Sequence, residues 1–297
     1  MQIAYITYNG SEKYLPANNF NEVEDLLPFL RKKGLNITAE IWDNPGTDWK
    51  KYDVALLKTP WDYHQKSGQF KQWLDRIEAL GLQLLNDYNT VRWNMDKHYL
   101  AAIAQAGLDV IPTIFPQQEW KGELLPLFEK LQADRLILKP CVSAGSKHTI
   151  ILHREEAERE AADVLPLLAD EGFMVQPFME EVQEGEWSFI FFNNTYSHTI
   201  VKKPKEGDFR VQQIYGGSIT PAAPPQSYID SAAAYVEQFA KHALYARVDG
   251  LMVQGRFMLM ELELIEPFLY LSYSEGAVER YYKALKQQLE GLAERRL

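Results

Sequence analysis

Two consecutive apolar segments near the C-terminus constrain the fold most, because together they predict a buried hairpin that carries charged side chains. The segments run from Tyr245 to Val253 and from Phe257 to Leu264. Side chains alternate between the two faces of a strand, so Glu261 and Glu263 are expected on one face. The opposite face is predicted to carry four apolar side chains, namely Met258, Met260, Leu262 and Leu264.

A three-residue turn over residues 254–256 sets the expected register of this hairpin. It places Asp249 opposite Glu261. It also places Arg247 opposite Glu263. Three carboxylates this close repel one another unless a cation lies between them, and carboxylate oxygens are the ligands that Mg²⁺ prefers. The pattern therefore predicts a metal and phosphate site, and a solvated acidic strand face is the alternative.

Lys139 ends a short apolar strand and precedes a loop of small residues that includes Ser143 to Ser146. A lysine in that position can neutralise a phosphate while the amides of the loop bind it. A lysine that merely extends its ammonium to solvent is the alternative.

The segment from Met174 to Met179 joins two units and is followed by Glu186. Ligand clefts often form at such hinges, and apolar residues with one amide and one carboxylate suit a purine and its ribose. A structural linker is the alternative interpretation.

The first ninety residues alternate between apolar strands and amphipathic helices, which predicts a small parallel-sheet domain. The strands are expected at Ile3–Thr7, Asn36–Trp42, Val54–Lys58 and Leu82–Leu85. The helices are expected at Asn21–Lys33 and Phe70–Leu80, and a further helix at Asn94–Ala106 leads into the next unit.

Two more units follow. The second is predicted to have strands at Arg135–Lys139, Thr149–Leu152 and Phe173–Gln176 around a helix at Arg154–Ala169. The third is predicted to have strands at Trp187–Phe192 and Tyr196–Lys202, a proline-rich link at Pro221–Pro225, and helices at Tyr228–Leu244 and Glu275–Glu290. Asn193 and Asn194 suit the positive φ angles of a tight hairpin turn. We place the domain boundaries at residues 1–92, 93–178 and 179–297.

Composition excludes several classes of protein. The chain has 31 basic and 41 acidic residues and a net charge of −10, which disfavours a nucleic-acid-binding protein. No apolar run reaches the roughly 20 residues of a membrane span, and the first residues lack a signal-peptide pattern. Cys141 is the single cysteine, so an internal disulfide is impossible and a cytoplasmic location is expected.

The order and spacing of eight short segments resemble the ATP-grasp superfamily over essentially the whole chain. The resemblance is greatest to ligases similar to glutathione synthetase and to the ribosomal-protein-S6-modification enzymes, near the cyclo-ligase of cycloserine biosynthesis. The segments are Trp61–Tyr63, Trp93–Lys97, Lys139–Pro140, Gln176–Phe178, Glu184–Ser188, Gly207–Arg210, Arg247–Asp249 and Glu261–Glu263.

The resemblance implies an α/β and α+β fold, in which an N-terminal parallel-sheet domain precedes two α+β subdomains that enclose the nucleotide. It implies an ATP-dependent ligase that converts a carboxylate into an acyl phosphate, which an amine then attacks. Two Mg²⁺ ions are expected, with Mn²⁺ as a substitute, and the substrates are expected to be small and similar to amino acids or peptides. Three alternatives remain: an intramolecular cyclo-ligase, a non-catalytic ATP-binding relative, and phosphoryl transfer to an acceptor other than a carboxylate.

The resemblance also implies roles for individual residues. The phosphates would be met by Lys97, Lys139, Ser143, Gly145 and Ser146. The adenine would be met by Gln176 and the backbone of Met179, the ribose by Glu186, and the nucleotide also by Lys202. The metal ligands would be Asp249, Glu261 and Glu263. Arg210 and Arg247 would stabilise the charge that develops in the transition states.

Two departures from the family pattern concern the phosphate loop and the substrate pocket. The loop has only Gly145 where many relatives have three or more glycines, so its backbone is less able to approach the phosphates closely. Phe268 follows Pro267 where a small or hydroxylated residue is expected, which indicates an unusual acceptor. Phenylalanine and tyrosine residues of the first domain are compatible with a homodimer.

Overall fold

The first unit is a four-stranded parallel sheet with the strand order β2-β1-β3-β4. Its strands are β1 (Ile3–Thr7), β2 (Ile37–Ile41), β3 (Val54–Thr59) and β4 (Gln83–Leu85). The computed structural model of the chain describes residues 1–10, 21–116, 123–143, 149–157, 159, 172–212 and 215–295. The predicted parallel sheet is therefore confirmed, and each strand lies within two residues of its predicted bounds.

Two amphipathic helices cover this sheet, α1 (Glu22–Lys32) and α2 (Ser67–Ala79). Helix α1 begins where the side chain of Asn21 accepts a hydrogen bond from the Val23 N–H. It ends before Gly34, whose φ of 88° is the left-handed conformation that glycine adopts without strain.

The second unit is a three-stranded antiparallel sheet with the order β6-β5-β7. Its strands are β5 (Arg135–Pro140), β6 (Ile150–His153) and β7 (Phe173–Pro177). These strands confirm the prediction. The predicted helix at Arg154–Ala169 falls mostly outside the described residues, and its first three residues form a 3₁₀ turn.

The third unit is a five-stranded antiparallel sheet with the order β10-β9-β8-β11-β12. Its strands are β8 (Glu186–Phe192), β9 (Thr195–Lys203), β10 (Ser218–Ala222), β11 (Tyr245–Val253) and β12 (Arg256–Glu263). Asn193 and Asn194 have φ angles of 46° and 60°, which confirms the predicted turn between β8 and β9. Strand β10 includes Pro221, which was expected in a link, and as an edge strand it tolerates the missing N–H.

Two predicted helices differ from the structure. The helix expected at Asn94–Ala106 is two helices, α3 (Tyr88–Asn94) and α4 (Tyr99–Gln105), because the N–H of Lys97 donates to the carbonyl of Cys141 at 2.9 Å. The helix expected at Tyr228–Leu244 ends at Phe239. Five residues later, the N–H of Leu244 donates to Asn86 Oδ1 at 2.6 Å instead of to a helical carbonyl.

The remaining described α-helices are α5 (Leu125–Leu131), α6 (Gln226–Phe239) and α7 (Ala277–Glu294). Helix α7 packs Tyr281 and Leu285 into one core with Leu26 and Leu30 of α1. The C-terminal helix therefore stabilises the first unit through burial of apolar surface.

Buried amides fix the first unit to the large sheet. The side-chain NH₂ of Asn86 donates to the carbonyls of Tyr245 (2.9 Å) and Leu264 (2.8 Å). The hydroxyl of Tyr245 donates in turn to the carbonyl of Leu57 at 2.6 Å. Because unsatisfied buried polar groups are costly, these bonds hold the start of β11 and the end of β12 against the parallel sheet.

His198 makes the folding stability of the protein depend on pH. Its imidazole is buried between Ser197 and the carbonyl of Leu269, at 2.9 Å from each. Burial disfavours the charged ring and lowers its pKa from 6.5 to about 4. As pH falls from 6.5 toward 4, the unfolded chain takes up a proton that the folded chain does not, so the free energy of unfolding falls by about 3 kcal/mol.

We therefore expect His198→Asn to remove this loss, which urea unfolding between pH 7 and pH 4 would measure as a flatter profile. The matched control is His242→Asn at an exposed histidine, which should keep the wild-type slope. Equal slopes for the two variants would contradict the assignment.

Candidate active site

The pairing of β11 with β12 places four charged residues together. Asp249 lies opposite Glu261 and Arg247 lies opposite Glu263, as the sequence predicts. The turn between the strands differs from the prediction: Val253 pairs with Arg256, so the turn has two residues rather than three. Both turn residues have positive φ angles, as tight hairpins require.

A bulge at Met260 reconciles the shorter turn with the predicted register. Asp249 pairs with Glu261 while Gly250 pairs with Leu259, so Met260 has no partner across the ladder. The bulge also reverses the face alternation. Met258 and Met260 pack in a cluster with Leu251, whereas Leu262 and Leu264 belong to a different core on the other side. The expectation that all four side chains share the face opposite to the glutamates is wrong.

The carboxylates face a cavity of about 290 Å³ between the two antiparallel sheets. Every predicted site residue that the structure describes lines this cavity. They are Lys97, Lys139, Ser143, Gln176, Met179, Glu186, Lys202, Arg210, Arg247, Asp249, Glu261 and Glu263. Gly145 and Ser146 lie outside the described residues.

Arg247 is the centre of the acidic cluster. Its guanidinium donates to Asp249 Oδ2 at 2.8 Å and also pairs with Glu263. It donates as well to the carbonyl of Phe268 at 2.9 Å. Burial alone would raise the pKa of Asp249, but the charges of Arg247 and Lys202 outweigh it and bring that pKa to about 2.

Two lysines pair with Glu186 and Glu261. Lys202 pairs with Glu186 on the neighbouring strand and lies 3.3 Å from Asp249. Lys97 lies 3.1 Å from Glu261 and donates to the carbonyl of Ser143 at 2.8 Å. Lys97 thus connects the acidic strand to the start of the predicted phosphate loop.

Negative charge accumulates at the end of β12. Burial raises the pKa of Glu263 to about 8, and the carboxylates of Glu261 and Asp249 add to this effect against the attraction of Arg247. Three carboxylates that line one cavity form a donor set that suits a hard divalent cation. The residues present therefore fit Mg²⁺.

Two charged groups of the cavity have no ion-pair partner in the part of the chain that the structure describes. Lys139 lies on the sheet opposite to β12, and burial lowers the pKa of its ammonium. Glu266 lies three residues beyond β12, and burial raises the pKa of its carboxyl well above the usual range. Sequence reasoning missed Glu266, although its position just after the acidic strand is a signal that could have found it.

One end of the cavity is apolar and has a single buried amide. Gln176 donates its NH₂ to Thr113 Oγ1 at 2.8 Å, which leaves its Oε1 to accept a hydrogen bond from a ligand. The apolar wall consists of Ile111, Ile137, Phe178, Leu251 and Met260. This end can bind a flat aromatic ring with an amino group.

Arg210 lies at the rim of the cavity and is bound within its own loop. It donates to both oxygens of Asp208, at 3.1 and 2.7 Å, and its guanidinium lies 3.8 Å from the ring centre of Tyr215. Its hydrogen bonds lower the pKa of Asp208. Arg210 can reach a ligand only if it exchanges this carboxylate for another anion.

A second group that sequence reasoning missed is the buried pair Glu22 and Lys58, 3.0 Å apart. Glu22 also accepts hydrogen bonds from the N–H groups of Leu269 (2.9 Å) and Leu271 (3.3 Å). The pair fixes the segment whose Phe268 carbonyl binds Arg247, so the first unit helps to position the cluster.

The chain is similar to D-cycloserine synthetase DcsG in both sequence and structure. The family model for the N-terminal domain of D-cycloserine synthetase DcsG matches residues 3–86. Cycloserine biosynthesis protein DcsG of Streptomyces lavendulae is 29% identical over 287 residues, which cover 90% of this chain and 94% of that protein. The crystal structure of D-cycloserine synthetase DcsG matches with a TM-score of 0.83 and 27% identity, over 97% of this chain and 100% of that chain. The chain therefore has the ATP-grasp fold, and it is similar to DcsG over nearly its whole length.

Another ATP-grasp structure shares the fold at lower identity. D-alanine–D-alanine ligase from Bacillus anthracis, complexed with ATP, matches with a TM-score of 0.69 and 17% identity, over 100% of this chain and 98% of that chain. These matches confirm the predicted fold class, in which ATP-grasp proteins combine a parallel sheet with antiparallel sheets.

Gly250 is required for the bulge. A Cβ atom there would lie 2.3 Å from the carbonyl oxygen of Met258, so alanine would force the two strands apart. We expect Gly250→Ala to lower the free energy of unfolding by about 3 kcal/mol or more and to weaken ATP binding. Urea unfolding and ATP titration measure these effects.

The matched control is Gly291→Ala in α7, where a Cβ atom meets nothing within 4 Å. Because alanine favours helix more than glycine does, this variant should gain about 0.5–1 kcal/mol. A Gly250→Ala variant as stable as wild type would contradict the role given to the bulge.

Proposed function

We propose that the cleft activates a carboxylate as an acyl phosphate and joins it to an amine of a small, amino-acid-like or peptide-like substrate. The chain is an ATP-dependent ligase that forms carbon–nitrogen bonds. One observation supports its chemistry best: the acidic cluster around Asp249, Glu261 and Glu263 faces Lys97 and Lys139 in a single cavity.

The nucleotide would lie along β12, because apolar and charged residues follow one another on that strand. Its adenine would occupy the apolar end near Met260, where the Oε1 of Gln176 accepts from the amino group and the backbone of Met179 meets the ring edge. The ribose hydroxyls would meet Glu186, which Lys202 holds in place. The phosphates would then point toward Glu261.

Positive groups and a metal would neutralise the phosphates. Lys139 approaches from the opposite sheet and Lys97 from the segment between α3 and α4, and Ser143 begins the loop that would close over the phosphates. Asp249, Glu261 and Glu263 would hold two Mg²⁺ ions, for which Mn²⁺ is a substitute. The metal would supply charge neutralisation at the β- and γ-phosphate oxygens.

The reaction needs two displacements. A carboxylate oxygen attacks the γ-phosphorus and the bond to the β-phosphate oxygen breaks, which releases ADP. The amine then attacks the acyl carbon, the C–O bond to phosphate breaks, and the amine loses one proton. Arg247 pairs with Asp249, one of the proposed metal ligands, and would stabilise these transition states; Arg210 would join it once it leaves Asp208.

Ring closure within one substrate is a second candidate. Similarity to D-cycloserine synthetase over nearly the whole chain favours it specifically. The chemistry is the same, except that the carboxylate and the attacking nitrogen belong to one molecule.

The domain boundaries, the cellular location and the oligomeric state are also proposals. We divide the chain at residues 1–92, 93–178 and 179–297, and each unit contains one of the three described sheets. No helix among the described residues is long and apolar enough to cross a membrane. A cytoplasmic location and a homodimer stay predictions.

The test is ADP release from ATP and Mg²⁺ with a panel of amino acids and dipeptides, offered singly and in pairs, with mass spectrometry of the products. If ADP release requires both a carboxylate and an amine, and a dehydrated conjugate of the two appears, the result supports ligation of two substrates. A single substrate that loses water supports ring closure. ADP release without any need for a carboxylate would contradict both.

Glu261→Gln should reduce Mg²⁺-dependent ADP release by about 100-fold or more, because the variant keeps the shape of the side chain but loses the charge that neutralises the metal. Circular dichroism should show an unchanged fold. The control is Glu290→Gln, an exposed glutamate of α7, which should leave the rate unchanged. An unaltered rate in Glu261→Gln would contradict the metal site.

A further inference from the structure

Glu266 is the one carboxylate of the cavity without a cationic partner among the described residues. The other four each contact a lysine or an arginine; they are Glu186, Asp249, Glu261 and Glu263. Charged groups removed from water are normally paired, because isolation in a low dielectric is costly. Since the side chain of Glu266 lines the cavity, its partner is expected from within the cavity.

The position of Glu266 assigns this partner to the substrate rather than to the nucleotide. Along the chain, Met260 marks the apolar end of the cavity and Glu261 and Glu263 mark the phosphate end. Glu266 comes three residues after the end of β12, and its carbonyl accepts a hydrogen bond from Trp61 of the first unit. This step depends on the proposed function, because the direction of the bound ATP comes from it.

Three aromatic rings of the cavity come from two units, and one of them contacts Glu266. The indole N–H of Trp61 in the first unit donates to the carbonyl of Glu266 at 3.2 Å. Phe268 follows two residues later, and its ring lies 5.1 Å from that of Tyr270. All three rings line the cavity. Aromatic faces attract cations, and a carboxylate that lines the same cavity strengthens that attraction.

We propose that Glu266 binds the ammonium group of the amino acid whose carboxylate is activated, and that this ion pair selects zwitterionic substrates over simple carboxylic acids. The ammonium is bound and is not consumed, so it remains on the product. Trp61 acts as a positioning residue, because its hydrogen bond holds the backbone of Glu266 against the first unit. Phe268 closes the same subsite and limits its size.

Calorimetric titration at saturating ADP and Mg²⁺ tests this proposal without relying on turnover. The ligands are glycine and both enantiomers of alanine and serine, each compared with its counterpart without the amino group: acetate, propionate and 3-hydroxypropionate. We expect wild type to bind the tightest amino acid about 10-fold or more tightly than its counterpart. Glu266→Gln should abolish that difference and leave the ADP affinity within about twofold.

Two further variants complete the design. Glu266→Asp keeps the charge on a shorter side chain and should retain part of the preference. If Glu266→Gln is poorly folded, Glu266→Asp tests the proposal through a reduced preference. Glu290→Gln in α7 is the control and should behave as wild type.

Three results would overturn the proposal. One is a wild type that binds no amino acid more tightly than its counterpart. Another is a preference that survives in Glu266→Gln. The third is a Glu266→Gln variant that loses Mg²⁺ affinity, because Glu266 would then be a metal ligand. Failure of the ligase reaction is a separate result, since it would be seen as absent ADP release in an enzyme that still binds amino acids.

Discussion

The pairing of β11 with β12 is the constraint on which the cleft depends. A regular hairpin with the observed two-residue turn would not place Asp249 opposite Glu261 or Arg247 opposite Glu263. The bulge at Met260 supplies the missing residue, and the absence of a side chain at Gly250 lets the strands approach at that point. The same bulge places an apolar side chain and two carboxylates on one side of a single strand, which suits a ligand that is apolar at one end and charged at the other.

Most charged side chains of the cleft form ion pairs with one another, and the two that do not indicate where charged groups of the ligands bind. Lysine and arginine residues hold most of the carboxylates, which offsets the cost of removing them from water. Lys139 and Glu266 have no ion-pair partner in the described ranges, and they have opposite signs. In the proposed complex, an anionic phosphate pairs with Lys139 and a cationic group of the substrate pairs with Glu266. The buried pair of Glu22 and Lys58 fixes the segment that connects this charge pattern to the first unit.

Much of this arrangement could be predicted from the sequence, for reasons that differ between elements. Alternation and apolar periodicity place the strands within a few residues, because both depend on burial alone. They could not detect the bulge, and the register of Asp249 and Glu261 was correct although the turn was predicted one residue too long. The helix expected at Asn94–Ala106 is interrupted because the N–H of Lys97 bonds to a carbonyl distant in sequence. Glu266 was missed because a lone glutamate after a strand normally indicates a solvated residue.

The central claim is that a carboxylate attacks the γ-phosphate of ATP, and the fate of its oxygen tests this most directly. A substrate with ¹⁸O at both carboxylate oxygens would be turned over with ATP and Mg²⁺, and the released inorganic phosphate would be analysed by mass spectrometry. The acyl phosphate predicts one ¹⁸O atom in each phosphate, because the C–O bond breaks when the amine attacks. Phosphate without the label would contradict the account, since the carboxylate oxygen would then never have been bonded to phosphorus.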